Sequence, residues 1–206
     1  LSIFPPYGRS QEGPYHGRIQ ALHGIVDYLR HSSEKYVIMM DCDHVCNLNY
    51  DDVLKQHIAS GTDVTVVCRK VVHDEDMERD CVLVKPDLTG RIVELLFDRF
   101  EGGCLASMDI FVAAKDKLID LVETAISRMQ TMFERDILLN NIQTLNIRAY
   151  DFEGFVRRIY STRSYYEANM DLLDPANMDA LFTPSRPVYT KVRDEAPVRY
   201  GIDAKV

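Results

Sequence analysis

Apolar residues recur every three to four positions from Tyr15 to Arg30, at Ile19, Leu22, Val26 and Leu29. That spacing predicts one amphipathic helix. Ser32 and Ser33 interrupt it, and Tyr36 to Asp41 (YVIMMD) follows as a nearly continuous apolar run. Such a run suits a strand covered on both faces, inside a parallel or mixed sheet. A second helical pattern opens at Asp51 and Asp52, carries Val53, Leu54, His57 and Ile58 on one side, and meets a stop at Gly61. Asp63 to Val71 is rich in β-branched residues and reads as another strand. Strand, helix, strand predicts a βαβ unit with parallel strands and a crossover helix, hence an α/β fold.

In the second half, Cys81 to Lys85 and Arg91 to Phe97 are short strand patterns joined by Pro86-Asp87-Leu88-Thr89-Gly90, a turn sequence, so a hairpin is predicted on the α/β core. Met108 to Ala113 reads as a strand. Lys115 to Met129 reads as a helix burying Leu118, Leu121, Val122, Ala125 and Ile126. Arg135 to Ile142 continues helical, Ile147 to Phe152 returns as a strand, and a last helix runs from Ser164 to Leu173. Beyond Pro175, the prolines 184, 187 and 197 space out a tail without periodicity, which reads as a linker. The expected organisation is a partial domain over 1–173 and a linker over 174–206.

Composition narrows the class. At 206 residues, 46% hydrophobic and 27% charged, the chain has the profile of a soluble globular domain. Its apolar runs are far shorter than the ~20 residues of a membrane span. The five cysteines (42, 46, 68, 81, 104) lack the close pairing of zinc sites and redox dithiols, and read as reduced cytoplasmic thiols. A net charge of −8 without a basic cluster argues against nucleic acid as partner.

The chemistry concentrates at Asp41-Cys42-Asp43-His44, after a buried strand, where open α/β sheets place their ligands. Residues i and i+2 of a strand point the same way, so Asp41 and Asp43 could face one Mg²⁺, which takes one or two carboxylates plus substrate phosphates. They could equally end the strand and orient a turn through backbone hydrogen bonds. His44 fits a packing or hydrogen-bonding role better than that of a ligand or base, and the other histidines show no metal spacing.

Tyr36 to Tyr50 (YVIMMDCDHVCNLNY) resembles a segment of bacterial glucose-1-phosphate adenylyltransferases of the form Y-V-L-I-L-S-G-D-H-I-Y-K-M-D-Y. In the same order, Leu105 to Val112 (LASMDIFV) is similar to that family's L-A-S-M-G-I-Y-V, Phe133 to Leu138 (FERDIL) to F-G-K-D-I-I, and Ser164 to Leu173 (SYYEANMDLL) to A-Y-W-E-A-N-M-D-L-L. The resemblance covers nearly the whole chain. It implies a nucleotide-diphospho-sugar transferase fold, a Rossmann-like, GT-A-like mixed sheet flanked by helices. It also implies that this stretch is the middle of a longer protein, without the family's N-terminal strand and Gly-rich loop or its C-terminal left-handed β-helix.

By the same resemblance, Asp43 falls on a Mg²⁺-binding aspartate, and Gly17, Gln20, Ser107, Met108 and Asp109 fall on substrate-binding segments. The departures are as informative. Arg158 occupies the place of the second metal aspartate, within Gly154 to Ser161, and Tyr160 stands where the family has glycine. Asp98 replaces the sugar-phosphate lysine, and Gly17 to Ala21 (GRIQA) replaces G-T-A-D-A. An arginine for an aspartate beside Mg²⁺ turns attraction into repulsion on the order of 8 kcal/mol at ~4 Å and an effective dielectric of ~20. Arg158 could instead pair with Asp43 and take the ion's place.

The pattern resembles the regulatory, GlgD-type subunit. It implies a catalytically impaired cytoplasmic protein of glycogen biosynthesis that pairs with a catalytic subunit in a heterotetramer and binds Mg²⁺ weakly or not at all, with nucleotide or sugar phosphate as possible ligands. The competing expectation is an active nucleotidyltransferase, or a D-x-D nucleotide-sugar glycosyltransferase, using Asp41 and Asp43 with Mg²⁺.

Overall fold

The computed structural model describes residues 2–4, 15–71, 81–97, 99 and 101–189. The chain divides into two compact units, one of 1–41 and 50–152, the other of 42–49 and 153–206. The division differs from the expected one at 173: the smaller unit takes a short segment after the first strand together with the C-terminal part of the chain.

The larger unit is a six-stranded mixed sheet with helices. Its strands are β1 (Tyr36–Met39), β3 (Val64–Lys70), β4 (Val82–Pro86), β5 (Ile92–Phe97), β6 (Leu105–Ala114) and β7 (Ile147–Asp151). They run in the order β5-β4-β6-β3-β7, with β1 also on β6. The β6 strand pairs antiparallel with both β1 and β3 through the same residues, Phe111 to Ala113, so it lies between them. The expected βαβ pair is therefore not adjacent: β1 and β3 run in the same direction, but β6 separates them. The parallel neighbours are β3 and β7.

The larger unit's helices are α1 (Arg18–His23), α2 (Val26–His31), α3 (Tyr50–Ser60), α4 (Lys115–Ser127) and a π-helix at Phe133–Leu139. One face of the sheet (Val64, Val66, Cys68, Phe111, Ala113, Ile147) forms a continuous core with Ile19, Leu22, Val26, Leu29, Leu118, Val122, Ala125, Phe133 and Ile137. Each such side chain, fully buried, contributes roughly 1.5–3 kcal/mol. The other face carries Thr65, hydrogen-bonded to His57 of α3. The predicted single helix over 15–30 is two short helices: α1 ends at His23, Gly24 and Ile25 form a turn in which the Ile25 N–H bonds to the Leu22 carbonyl three residues back, and α2 starts at Val26. The predicted helix over 135–142 is the π-helix, rare as a class and frequent at functional sites.

In the smaller unit, β2 (His44–Cys46) pairs antiparallel with β8 (Val156–Arg158), a ribbon that the hydrophobic pattern does not announce. The α5 helix (Thr162–Asp171) starts at a capping box, with Ser161 accepting from the Ser164 N–H. Within the stretch expected to be an extended linker, Pro175–Leu181 forms a further helix, α6, capped by Asp174 and begun by a proline at its first position.

Candidate functional site

The Asp41-to-His44 segment is not a strand. The β1 strand ends at Met39, and a bend at Cys42 separates the two aspartates, so the alternation that would turn both carboxylates to one side does not apply. Asp41 falls in the larger unit and Asp43 in the smaller. Each meets an arginine of its own unit.

In the larger unit, α1 starts after Gly17, whose φ of 102° and closeness to the Thr131 carbonyl exclude a side chain. The next residue, Arg18, donates from one Nη to Asp41 Oδ2 at 2.8 Å and from the other to Glu134 Oε1 at 2.9 Å. Its guanidinium also lies 4.8 Å from the centre of the Phe111 ring. The Arg18 and Glu134 side chains are largely buried, 17% and 13% exposed. Glu134 stands where the resembled pattern has glycine. It is the partner that motif reading misses, although that departure was its visible signal. Gln20 accepts from the His16 N–H at 2.7 Å.

In the smaller unit, the ribbon sets position 158 opposite His44, and the Ile159 N–H donates to the Asp43 carbonyl at 2.7 Å. That register brings Arg158 Nε to 2.8 Å from Asp43 Oδ2, with side chains 16% and 26% exposed. The other carboxylate oxygen, Oδ1, lies 2.9 Å from Nδ1 of the buried His44. Burial pushes the Asp43 carboxyl up, but the hydrogen bond from Arg158 and the charges of His44 and Arg158 outweigh it, leaving the group below its usual range. Tyr160 is half exposed, and its N–H donates to Ser164 Oγ.

The remaining positions fall elsewhere in the larger unit. The β6–β3 register shifts between Val67 and Cys68, and Met108 and Asp109 are the extra residues on β6. Met108 is fully buried and offers a ligand no surface. Asp109 adopts φ 54°, a left-handed conformation at the place of the resembled pattern's glycine, and its N–H donates to the buried Ser107 hydroxyl. Asp98 lies outside the described residues. Among the described residues, no group of three or more His, Cys, Asp and Glu is arranged to hold a metal ion, and no helix is long and apolar enough to cross a membrane.

A mixed sheet flanked by helices, with its acidic loop after β1, is the architecture of a nucleotide-diphospho-sugar transferase domain. Within that class, the chain resembles glucose-1-phosphate adenylyltransferases and their relative GlgD. It is 28% identical over 210 residues to the glucose-1-phosphate adenylyltransferase of Thermosipho melanesiensis, covering all of this chain and 50% of that protein. It is 26% identical over 205 residues to the glycogen biosynthesis protein GlgD of Bacillus subtilis, covering 98% and 48%. With the glucose-1-phosphate adenylyltransferase of Halalkalibacterium halodurans it shares 28% over 209 residues, covering 96% and 52%. The chain thus spans about half the length of the curated relatives it matches. No family model matches it.

Proposed function

We propose that this chain is part of a cytoplasmic regulatory subunit of glucose-1-phosphate adenylyltransferase in glycogen biosynthesis. It works beside a catalytic subunit in a hetero-oligomer and is itself impaired in converting ATP and glucose 1-phosphate to ADP-glucose and diphosphate. Likeness both to the enzyme and to GlgD supports the pathway. The observation that carries the impairment is the Arg158–Asp43 pair at 2.8 Å. Nucleotidyl transfer brings phosphate oxygens together, and the site must neutralise them with metal or fixed cations. Both oxygens of Asp43 are already engaged by nitrogen groups, so a divalent ion has to displace a guanidinium. Mg²⁺ binding at Asp43 is accordingly weak or absent. Arg18 engages Asp41 in the same manner. Gly17, retained, and Gln20, in place of the family's aspartate, neighbour a nucleotide that binds without efficient turnover, while Ser107 and Asp109 hold the shape of β6.

The second reading, an active adenylyltransferase, is favoured by the relatives that carry the enzyme's name. Assaying ADP-glucose formation by the full-length protein alone and mixed with the catalytic subunit separates the two. The regulatory reading expects negligible activity alone and a mixture exceeding the catalytic subunit by itself. Robust Mg²⁺-dependent activity alone, with no stimulation in the mixture, refutes it in favour of the second.

A further inference from the structure

The larger unit carries a hollow of about 170 Å³ between α4 and the π-helix. Its apolar part is made by Leu121 with the buried Ala125 and Ile137. Asp120, Thr124 and Arg128 line it too and are exposed, so the hollow opens to solvent. These three stand at i, i+4 and i+8 on one side of α4 and its C-cap, an acid, a hydroxyl and a guanidinium in a row. At 1.5 Å per residue, Asp120 and Arg128 lie ~12 Å apart along the helix, twice the i, i+4 spacing at which opposite charges pair. Among the described residues, neither side chain has an ion-pair or hydrogen-bond partner. Lys117, the other cation of the hollow, is 3.6 Å from Asp63. One positive and one negative charge are therefore left without a match.

The helix dipole accounts for only half of this arrangement. Arg128 caps the C-terminal end, where a cation is favourable, but Asp120 lies past the first turn, where the effect of the N-terminus has fallen off. Two neighbours add to the case. Asn141, also lining the hollow, spends its Nδ2 on the Ile137 carbonyl at 2.8 Å, which leaves Oδ1 to accept a hydrogen bond. Met129, between the lining residues Arg128 and Gln130, is held at φ 57°. Backbone strain of that kind gathers at segments that clamp ligands.

We propose that the hollow binds a free aliphatic amino acid as its zwitterion, with the carboxylate on Arg128, the ammonium on Asp120 and the side chain against Leu121, Ala125 and Ile137. The volume falls below the roughly 300–1,000 Å³ of pockets for drug-sized ligands and equals about five or six waters at ~30 Å³ each, which suits a molecule of amino-acid size. A phosphate dianion is a poor match, because Lys117 is already beside Asp63 and Asp120 opposes a second negative charge. None of Arg18, Asp41 and Glu134 lines the hollow, and the inference is independent of the adenylyltransferase reading.

The test is calorimetric titration of the full-length protein with L-leucine, L-valine and L-methionine, and with two truncated forms of leucine: 4-methylpentanoate, which lacks the ammonium, and 3-methylbutylamine, which lacks the carboxylate. Saturable binding of at least one amino acid is expected, with both truncated forms at least tenfold weaker than leucine. Arg128→Gln and Asp120→Asn should each raise the Kd at least tenfold, since each removes a charge-assisted hydrogen bond. At tenfold above its Kd, the bound amino acid should raise the melting temperature of the wild type by about 3–6 °C. Without ligand, both variants should melt within about 2 °C of the wild type, because neither side chain has a partner to lose. Absence of saturable binding by all three amino acids, truncated forms that bind as tightly as leucine, or undiminished binding in both variants overturns the proposal.

Discussion

Replacing Arg158 by methionine removes the cation beside Asp43 while keeping most of the side chain's bulk. Two unit charges ~4 Å apart at an effective dielectric of ~20 attract by about 4 kcal/mol, before the desolvation of both groups is charged against them. Fully exposed pairs keep roughly 0.2–1 kcal/mol of this, and breaking a fully buried pair costs about 3–5 kcal/mol. With side chains 16% and 26% exposed, the pair belongs between these limits, so a coupling of about 1–2 kcal/mol is expected from the cycle of wild type, Arg158→Met, Asp43→Asn and the double variant. The reporter is amide exchange at Ile159, whose N–H is bonded to the Asp43 carbonyl and so registers opening of the ribbon itself. Each single variant should speed exchange about tenfold or more, and the double variant should be less than additive. The sign with pH follows from the lowered carboxyl. The contribution is complete above the ordinary value of 3.8 and lost as pH falls through the folded value, so Arg158→Met should flatten the acid limb. Coupling within about 0.3 kcal/mol of zero would refute the pair as an energetic feature.

Two further outcomes concern the scaffold. His57 is buried with Nδ1 2.8 Å from Thr65 Oγ1 and 3.1 Å from Thr62 Oγ1, and burial lowers its pKa despite the opposing charge of Asp63. Between that lowered value and the ordinary 6.5 the unfolded chain holds more protons, so stability should be complete above pH 6.5 and fall as pH drops through the folded value; His57→Gln, followed by urea titration across that range, should remove this slope. Met129, with φ 57° and a fully exposed side chain, follows α4 where its N–H reaches the Ile126 carbonyl and the Gln130 N–H reaches that of Ala125. That is a Schellman ending without its usual glycine. Relief of ~1–2 kcal/mol of left-handed strain, less about 0.4–1 kcal/mol of added unfolded-state entropy, predicts that Met129→Gly raises the melting temperature by a few degrees; an unchanged or lower value contradicts this.

The elements with strong periodicity were legible: α3 stops at Gly61, the β4–β5 hairpin turns through Gly90, and α4 buries the side expected of it. What pattern reading did not supply was adjacency. Two strands flanking a helix suggest neighbours, yet the pairing partner of both, β6, comes over 30 residues after the second, and only the long-range ladder reveals it. The break at Gly24 was hidden for a related reason. The buried stripe of Ile19, Leu22, Val26 and Leu29 continues across it, so apolar spacing does not register the turn at Gly24 and Ile25.

The candidate site was legible one residue at a time and illegible as a set of pairs. Position 158 could be flagged from the sequence as a cation in an anion's place, but nothing local to it specifies the three-residue ribbon that sets it opposite His44. Arg18 and Glu134 show the same limitation more sharply. Each departs from the resembled motif, 116 residues apart, and read separately neither departure shows what it pairs with. Read together at 2.9 Å, with Asp41 at 2.8 Å on the other nitrogen, they are a compensated substitution: a buried arginine arrives with the carboxylate that makes its burial tolerable. A site that was merely decaying would be expected to collect unpaired charges, which are costly to bury. Here both aspartates of the loop after β1 have acquired guanidinium partners within hydrogen-bonding distance. The two pairs neutralise these carboxylates from within the protein, so neither partly buried aspartate is left as an uncompensated charge.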